Sequence, residues 1–227
     1  MNYSLIIPIY NEAKTLNKLL ETLNNLDEKI EIIIIDDGST DNTKKILEVN
    51  FNNNIKIINN NYNLGKGSAI NVGIKVASNQ NIILFDGDLE LDTRDIPHLI
   101  SIYESEECDA LVGKRWRNKK ASNFNINSIG NNIFNYIFNK FFSTKLNDVL
   151  CCVKILKTSL YQSLDIQSVG FNIEIEIMSK LAIKKSIIKE HKISYTPRTV
   201  SEGKKIKIID GWSILWTMVK TRYLFRP

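Results

Sequence analysis

The chain has few of the residues that make linkers, disulfides and zinc fingers. Ten glycines and four prolines in 227 residues leave no long flexible hinge between domains. Three cysteines, Cys108, Cys151 and Cys152, give no disulfide framework, and the adjacent pair has no zinc-ligand spacing. They are expected to be small buried residues in a reducing compartment. The two histidines, His98 and His191, have no partner pattern and receive no role. No apolar run reaches the roughly 20 residues of a membrane span, and the amino terminus enters a strand-like segment with no basic region or cleavage site. A cytoplasmic chain that is not an integral membrane protein is the expectation. The net charge of +5 suits phosphate-bearing ligands, an acidic membrane or nucleic acid equally. A nucleic-acid binder needs a basic stripe with stacked aromatics. Here the basic residues cluster late and the strand ends are acidic, so no nucleic-acid partner is expected.

What is present begins with two aspartates around a glycine. Asp86-Gly87-Asp88 directly follows the apolar run Asn81-Ile82-Ile83-Leu84-Phe85. A strand ending this way points two carboxylates off the carboxyl edge of a sheet, where open α/β sheets bind ligands. Paired carboxylates there are costly unless a cation neutralises them, and Mg²⁺ or Mn²⁺ with a diphosphate meets that need. Upstream, the runs Ser4–Ile9, Ile30–Ile35 and Ile55–Ile58 read as three buried strands, with Ile82–Phe85 the fourth. Helical spacing follows the first run at Leu16, Leu19, Leu20, Leu23 and Leu26. Asp41 or Ser39 can cap the next helix, and Gly65-Lys66-Gly67 opens a third. Strands alternating with helices predict an α/β fold, a mostly parallel central sheet with helices on both faces.

The pattern changes after Ala110–Gly113, one more strand. Ile129, Ile133, Phe134, Ile137, Phe138, Phe141 and Phe142 make a broad aromatic helix. Trp212, Leu215, Trp216, Val219 and Tyr223 form a second stripe, with Lys220, Arg222 and Arg226 interspersed. Each alone is an ordinary core helix; together they suit a membrane interface.

The segments Ile7-Pro8-Ile9-Tyr10-Asn11-Glu12, Ile35-Asp36-Asp37-Gly38-Ser39-Thr40-Asp41, Asn63-Leu64-Gly65-Lys66-Gly67 and Asp86-Gly87-Asp88 occur in this order. They resemble the inverting glycosyltransferases of family 2, which have the GT-A nucleotide-diphospho-sugar transferase fold. Gly113-Lys114-Arg115, Asn131 with Phe134-Asn135, Asn147-Asp148, Gly170-Phe171 with Glu174, and Tyr195-Thr196-Pro197-Arg198 followed by Ser201 to Lys205 look like the polyprenyl-phosphate sugar synthases, of which the dolichyl-phosphate mannosyltransferases are the nearest type. The resemblance covers about residues 3–211.

It implies one GT-A domain over 1–211, with a nucleotide-sugar half (1–115) and an acceptor half (116–211), and an amphipathic helix over 212–227. It implies a metal, Mg²⁺ or Mn²⁺, held by Asp86, Asp88 and Glu90. Donor contacts would come from Pro8, Tyr10, Glu12, Asp37, Gly87, Glu174, Arg198 and Lys204. Catalysis would rest on Asp88, Arg115 and Arg198, the arginines gripping phosphates through their bidentate fork. Where the family usually has Asp-Ala-Asp-Leu-Gln, this chain has Asp-Gly-Asp-Leu-Glu; the change adds a charge at Glu90 and is expected to loosen the backbone at Gly87. The implied reaction moves a hexose, mannose from GDP-mannose, onto a polyprenyl or dolichyl monophosphate at the cytoplasmic face of a membrane, with a separate membrane-protein partner a further expectation. UDP-glucose as donor, a glycan-building enzyme with a soluble acceptor, or a non-catalytic nucleotide-sugar sensor or partner subunit are the alternatives. Bland readings stand beside these roles. Asp37 and Asp41 can be turn and cap residues, Lys66 part of a loop, Lys204, Lys205 and Lys207 a solvated run, and Glu174 and Glu176 a half-exposed strand or helix face.

Overall fold

The computed structural model describes residues 2–49, 55–116, 126–198 and 208–225. Seven strands form one sheet: β1 (Tyr3–Ile9), β2 (Ile30–Asp36), β3 (Ile55–Asn59), β4 (Asn81–Leu84), β5 (Ala110–Trp116), β6 (Lys154–Lys157) and β7 (Ile188–Ser194). Their order across the sheet is β3-β2-β1-β4-β6-β5-β7. β1 to β4 run parallel, β6 is antiparallel to both its neighbours, and β5 and β7 are parallel to each other. The helices are α1 (Leu16–Leu23), α2 (Thr43–Val49), α3 (Lys66–Val76), α4 (Ile96–Ser105), α5 (Ile126–Phe142), α6 (Thr158–Ser163), α7 (Ile173–Ile183) and α8 (Ile208–Leu224).

The near-continuous apolar strands are buried because they are covered twice. In β1, Ile6 faces α3: a Cβ on Gly73 would come within 2.7 Å of Ile6 Cγ2 and of Ile35 Cδ1, so α3 rests its backbone on the sheet. Ile7 and Ile9, on the opposite pleat, pack near Leu19 of α1. Leu16, Leu19, Leu20 and Leu23 of α1 are all buried, as the spacing predicted. Asp41 caps α2, its Oδ1 accepting from the Thr43 amide at 2.9 Å.

The chain runs from β1 outward through β2 to β3, then returns to place β4 on the other side of β1. The crevice at the carboxyl ends of β1 and β4 is therefore the topological switch point, where open sheets bind ligands. The Asp86–Asp88 turn leaves β4 there.

Two expectations are corrected. Glu174 and Glu176 do not lie on a half-exposed face: both are buried in the first turn of α7, each held by lysine. The aromatic stripe of α5 mostly packs inward, with Phe138 fully buried and Phe134, Ile137, Phe141 and Phe142 against the core; only Ile133 and Tyr136 among its described large apolar side chains are exposed. α8 divides differently. Ile214, Thr217, Met218 and Thr221 are buried, while Trp212, Trp216, Val219, Tyr223 and Leu224 face outward. Asn172 Nδ2 donates to Thr217 Oγ1 at 2.9 Å and ties α8 to the start of α7. No helix among the described residues is long and apolar enough to cross a membrane.

Candidate active site

Among the described residues, Asp86 and Asp88 are each met by one cation. Lys66, in the first turn of α3, places Nζ 2.6 Å from Asp86 Oδ1 and 2.8 Å from Glu174 Oε1. Burial alone would lower the Lys66 pKa, but Asp86 and Glu174 outweigh it and hold the ammonium well above its ordinary value. Arg198 approaches from the segment that follows β7. Its Nη1 and Nη2 donate to Glu12 Oε2 and Oε1 at 3.0 Å each, and Nη2 lies 3.5 Å from Asp88 Oδ2. The segment is aimed by a short bridge between Leu91 and Tyr195, by the Thr196 amide donating to the Glu90 carbonyl, and by the Arg198 amide donating to Glu90 Oε1 at 2.9 Å.

The turn carrying the aspartates is tightly made. Leu89 adopts a left-handed φ of 60°, a sparsely populated conformation for a side chain of its size. It brings the Glu90 amide to Asp88 Oδ1 at 3.0 Å. Gly87 leaves no room for a side chain at this turn. An added Cβ would lie 2.4 Å from Ile9 Cγ2 and 2.9 Å from Ile7 Cγ2, so the isoleucines of β1 fill the space an alanine would take. Asp88 is pushed up to about 6, first by burial, then by the charges of Asp86 and Glu90.

The other anticipated residues divide. Glu12 is buried beside Arg198 and also accepts from Thr15 Oγ1 at 2.8 Å. Pro8 and Tyr10 are half-buried at the end of β1. Asp37 spends both oxygens on the loop before α3, accepting from Asn60 Nδ2 (2.9 Å), the Leu64 amide (3.1 Å) and the Gly65 amide (2.7 Å); it is turn chemistry that shapes the crevice wall. Arg115 pairs with a different carboxylate. Its fork closes on buried Asp148, with Nε and Nη2 each at 2.7 Å, and its guanidinium lies 5.4 Å from the Tyr195 ring centre. Asn131 Nδ2 joins Asp148 at 3.2 Å. Arg115 thus sits in a second polar cluster, linked to the first through the Tyr195–Arg198 segment. Lys204, with Lys205 and Lys207, lies outside the described residues. Lys154, which the sequence reading passed over, is fully buried and bonded to Glu174.

A divalent cation fits this donor set. Asp86 and Asp88 are partly open, with side chains 28% and 29% exposed, and burial, followed by the charges of Asp86 and Glu90, disfavours the ionised form of Asp88. Among the described residues no three His, Cys, Asp or Glu side chains are gathered to hold an ion, and Glu90 turns its carboxylate to the Arg198 amide rather than to the aspartates. Two carboxylates completed by substrate phosphates are the usual Mg²⁺ arrangement.

Residues 4–165 match the family model described as glycosyl transferase family 2. The chain belongs to glycosyl transferase family 2. It is 31% identical over 167 residues to a dodecaprenyl-phosphate galacturonate synthase of Rhizobium johnstonii, covering 70% of this chain and 49% of that protein. It is 32% identical over 168 residues to an undecaprenyl-phosphate 4-deoxy-4-formamido-L-arabinose transferase of Proteus mirabilis, covering 71% and 50%. The chain thus spans about half the length of these two curated relatives. An uncharacterized protein of Methanocaldococcus jannaschii matches at 33% over 219 residues, covering 90% of this chain and 93% of that one. Among solved structures, glucosyl-3-phosphoglycerate synthase of Mycobacterium tuberculosis bound to UDP superposes with a TM-score of 0.78 at 14% identity, over 99% of this chain and 81% of that one. The same enzyme has been solved with Mn²⁺ and UDP. At that identity the likeness speaks for the GT-A fold of this family 2 member.

Proposed function

We propose that this family 2 chain transfers a sugar from a nucleotide-diphosphate donor to a polyprenyl monophosphate with inversion at the anomeric carbon. The observation that carries the reading is the Asp86–Asp88 pair at the switch point, with its excess of negative charge. Asp86 and Asp88 would hold Mg²⁺ or Mn²⁺, which would supply positive charge to the departing diphosphate. The acceptor's phosphate oxygen attacks the anomeric carbon from the far face; its bond forms as the bond to the nucleoside diphosphate breaks, and the nucleotide leaves with the electron pair. A phosphate monoester with a second pKa near ~6 is already mostly dianionic at neutral pH, so no side chain is needed to take a proton. Arg198, beside Asp88, is placed to screen donor and acceptor phosphates from each other. Arg115 serves the acceptor side once Asp148 shares it. The named relatives act on dodecaprenyl and undecaprenyl phosphates, which supports a polyprenyl acceptor and sugars other than mannose. GDP-mannose and a dolichyl acceptor are the narrower reading.

The outward face of α8 supports a membrane-surface location. Trp212, Trp216 and Tyr223 beside exposed Lys220 and Arg222 suit the headgroup layer of an anionic bilayer. Wild type is expected to float with anionic liposomes and Trp216→Glu to float less; equal flotation removes this part of the reading.

The deciding assay incubates the chain with Mn²⁺, a panel of labelled UDP- and GDP-sugars and polyprenyl phosphate, then extracts into organic solvent. Labelled lipid that disappears in Asp88→Asn is the expected result. Tight nucleotide-sugar binding with no product from any donor favours a sensor instead.

A further inference from the structure

Lys154 is a buried charge that none of these steps uses. It opens β6 with its side chain fully enclosed, and Nζ is bonded to the Cys151 carbonyl and to Glu174 Oε2. Glu174 turns its other oxygen to Lys66, and Lys66 reaches Asp86. Four charges therefore alternate in sign from the core to the crevice: Lys154, Glu174, Lys66, Asp86. The first three are nearly sealed from solvent, and only Asp86 is partly open. Lys66 stands between two carboxylates, and each attraction draws it away from the other.

We infer that Lys154 is a positioning residue: by sharing Glu174 from behind, it keeps Lys66 forward on Asp86, where Lys66 faces the donor diphosphate and competes with the divalent cation. This rests on the reading that Asp86 and Asp88 take the metal and diphosphate. Without Lys154, Glu174 has Lys66 as its one remaining lysine partner among the described residues and draws it inward. The two ligands then respond in opposite directions. The cation meets a freer Asp86, while the diphosphate loses a lysine.

The test measures Mn²⁺ alone by electron paramagnetic resonance, and UDP and GDP at saturating Mn²⁺ by calorimetry, using whichever nucleotide wild type binds more tightly. Lys154→Met is expected to bind Mn²⁺ about fivefold more tightly and the nucleotide about fivefold more weakly, a size usual for coupling between contacting charged groups. Lys154→Arg keeps the charge and is expected to stay near wild type in both. The double variant Lys154→Met with Glu174→Gln leaves neither Lys154 nor Glu174 as an unpaired buried charge, which protects its folding. There Lys66 has Asp86 as its remaining carboxylate, so Mn²⁺ alone is expected to bind about fivefold more weakly. A purely structural role cannot reverse sign between the single and double variants. Single and double variants that shift Mn²⁺ affinity in the same direction, or not at all, overturn the proposal. If Lys154→Met does not fold, a double variant with unchanged or tighter Mn²⁺ binding overturns it alone. Wild type that binds neither Mn²⁺ nor either nucleotide defeats the metal-site reading itself, and this inference with it.

Discussion

The two edges of the sheet both carry half-buried carboxylates, and they treat them oppositely. At the amino edge Glu31, on β2, is bonded to Ser4 Oγ and Lys56 Nζ and accepts from the Ser78 amide at 2.9 Å and Ser78 Oγ at 2.8 Å. Burial pushes its pKa up, but these donors outweigh burial and bring it down to about 2. At the carboxyl edge Asp88 receives one short backbone bond and a distant guanidinium while Asp86 and Glu90 crowd it, and it rises to about 6. The first carboxylate is a staple that joins β1, β2 and the turn before β4. The second is a crowded carboxylate with few donors, the one proposed above to take a metal ion. Stability is concentrated at one edge and given up at the other, the usual relation between a scaffold and its site.

Exchanging each carboxylate for its amide sharpens that contrast. Asp88→Asn is expected to reduce glycosyl transfer by at least ~100-fold, the scale of losing a charged metal ligand. It is also expected to raise the unfolding free energy at pH 7.5 by about 1 kcal/mol, since it removes a charge the fold disfavours. Urea denaturation without metal, beside the lipid-extraction assay, checks both. A variant that loses stability along with activity breaks the comparison, because Asp88 would then be a staple as well.

Glu31→Gln is the reciprocal change. It leaves Lys56 and the Ser78 donors without a carboxylate and is expected to cost about 1–2 kcal/mol of stability. Transfer activity of the folded variant should match wild type, since Glu31 lies at the opposite edge from the crevice. A tenfold drop in activity at unchanged fold would mean that the two edges communicate.

The parallel half was legible because its signals are local. Past Ser4 and Glu31, the runs Leu5–Ile9, Ile32–Ile35 and Ile82–Phe85 are apolar on both pleats, which only a doubly covered strand requires, and Asp86 and Asp88 follow such a run directly. The second half hid its strands. β6 is four residues that begin and end in lysine, and β7 reads Ile-Lys-Glu-His-Lys-Ile-Ser, the half-exposed pattern of an edge. Lys154 is tolerated inside because Glu174 arrives from another element, a fact that no window around residue 154 contains. Arg198 was visible as a Pro-Arg motif, but its partner Glu12 stands 186 positions away. The space at Gly87 is non-local in the same way: its neighbours Ile7 and Ile9 belong to β1, and their side chains set how much room the turn has.

The smallest expected effect is the most discriminating, because the two carboxylates should give opposite slopes with pH. Glu31 titrates below its ordinary value near 4.5 when folded, so its contribution is complete above that pH and is lost as pH falls toward 2. Asp88 titrates above its ordinary 3.8, so the folded chain takes up its proton first, and stability rises as pH falls from about 6 toward 4. In metal-free urea titrations, the advantage of Asp88→Asn over wild type should therefore shrink by about 1 kcal/mol between pH 7.5 and 4. The deficit of Glu31→Gln should hold across that range and close only below about pH 4, by less than 1 kcal/mol because solvent screens a rim position. An Asp88→Asn advantage that is the same at pH 7.5 and pH 4 would mean that the crevice carboxylates are not crowded, and the distinction between the edges would fail. Adding Mn²⁺ at pH 7.5 should close the same gap from the other side, since the ion stabilises the charged wild-type pair and has one fewer carboxylate to hold in the variant.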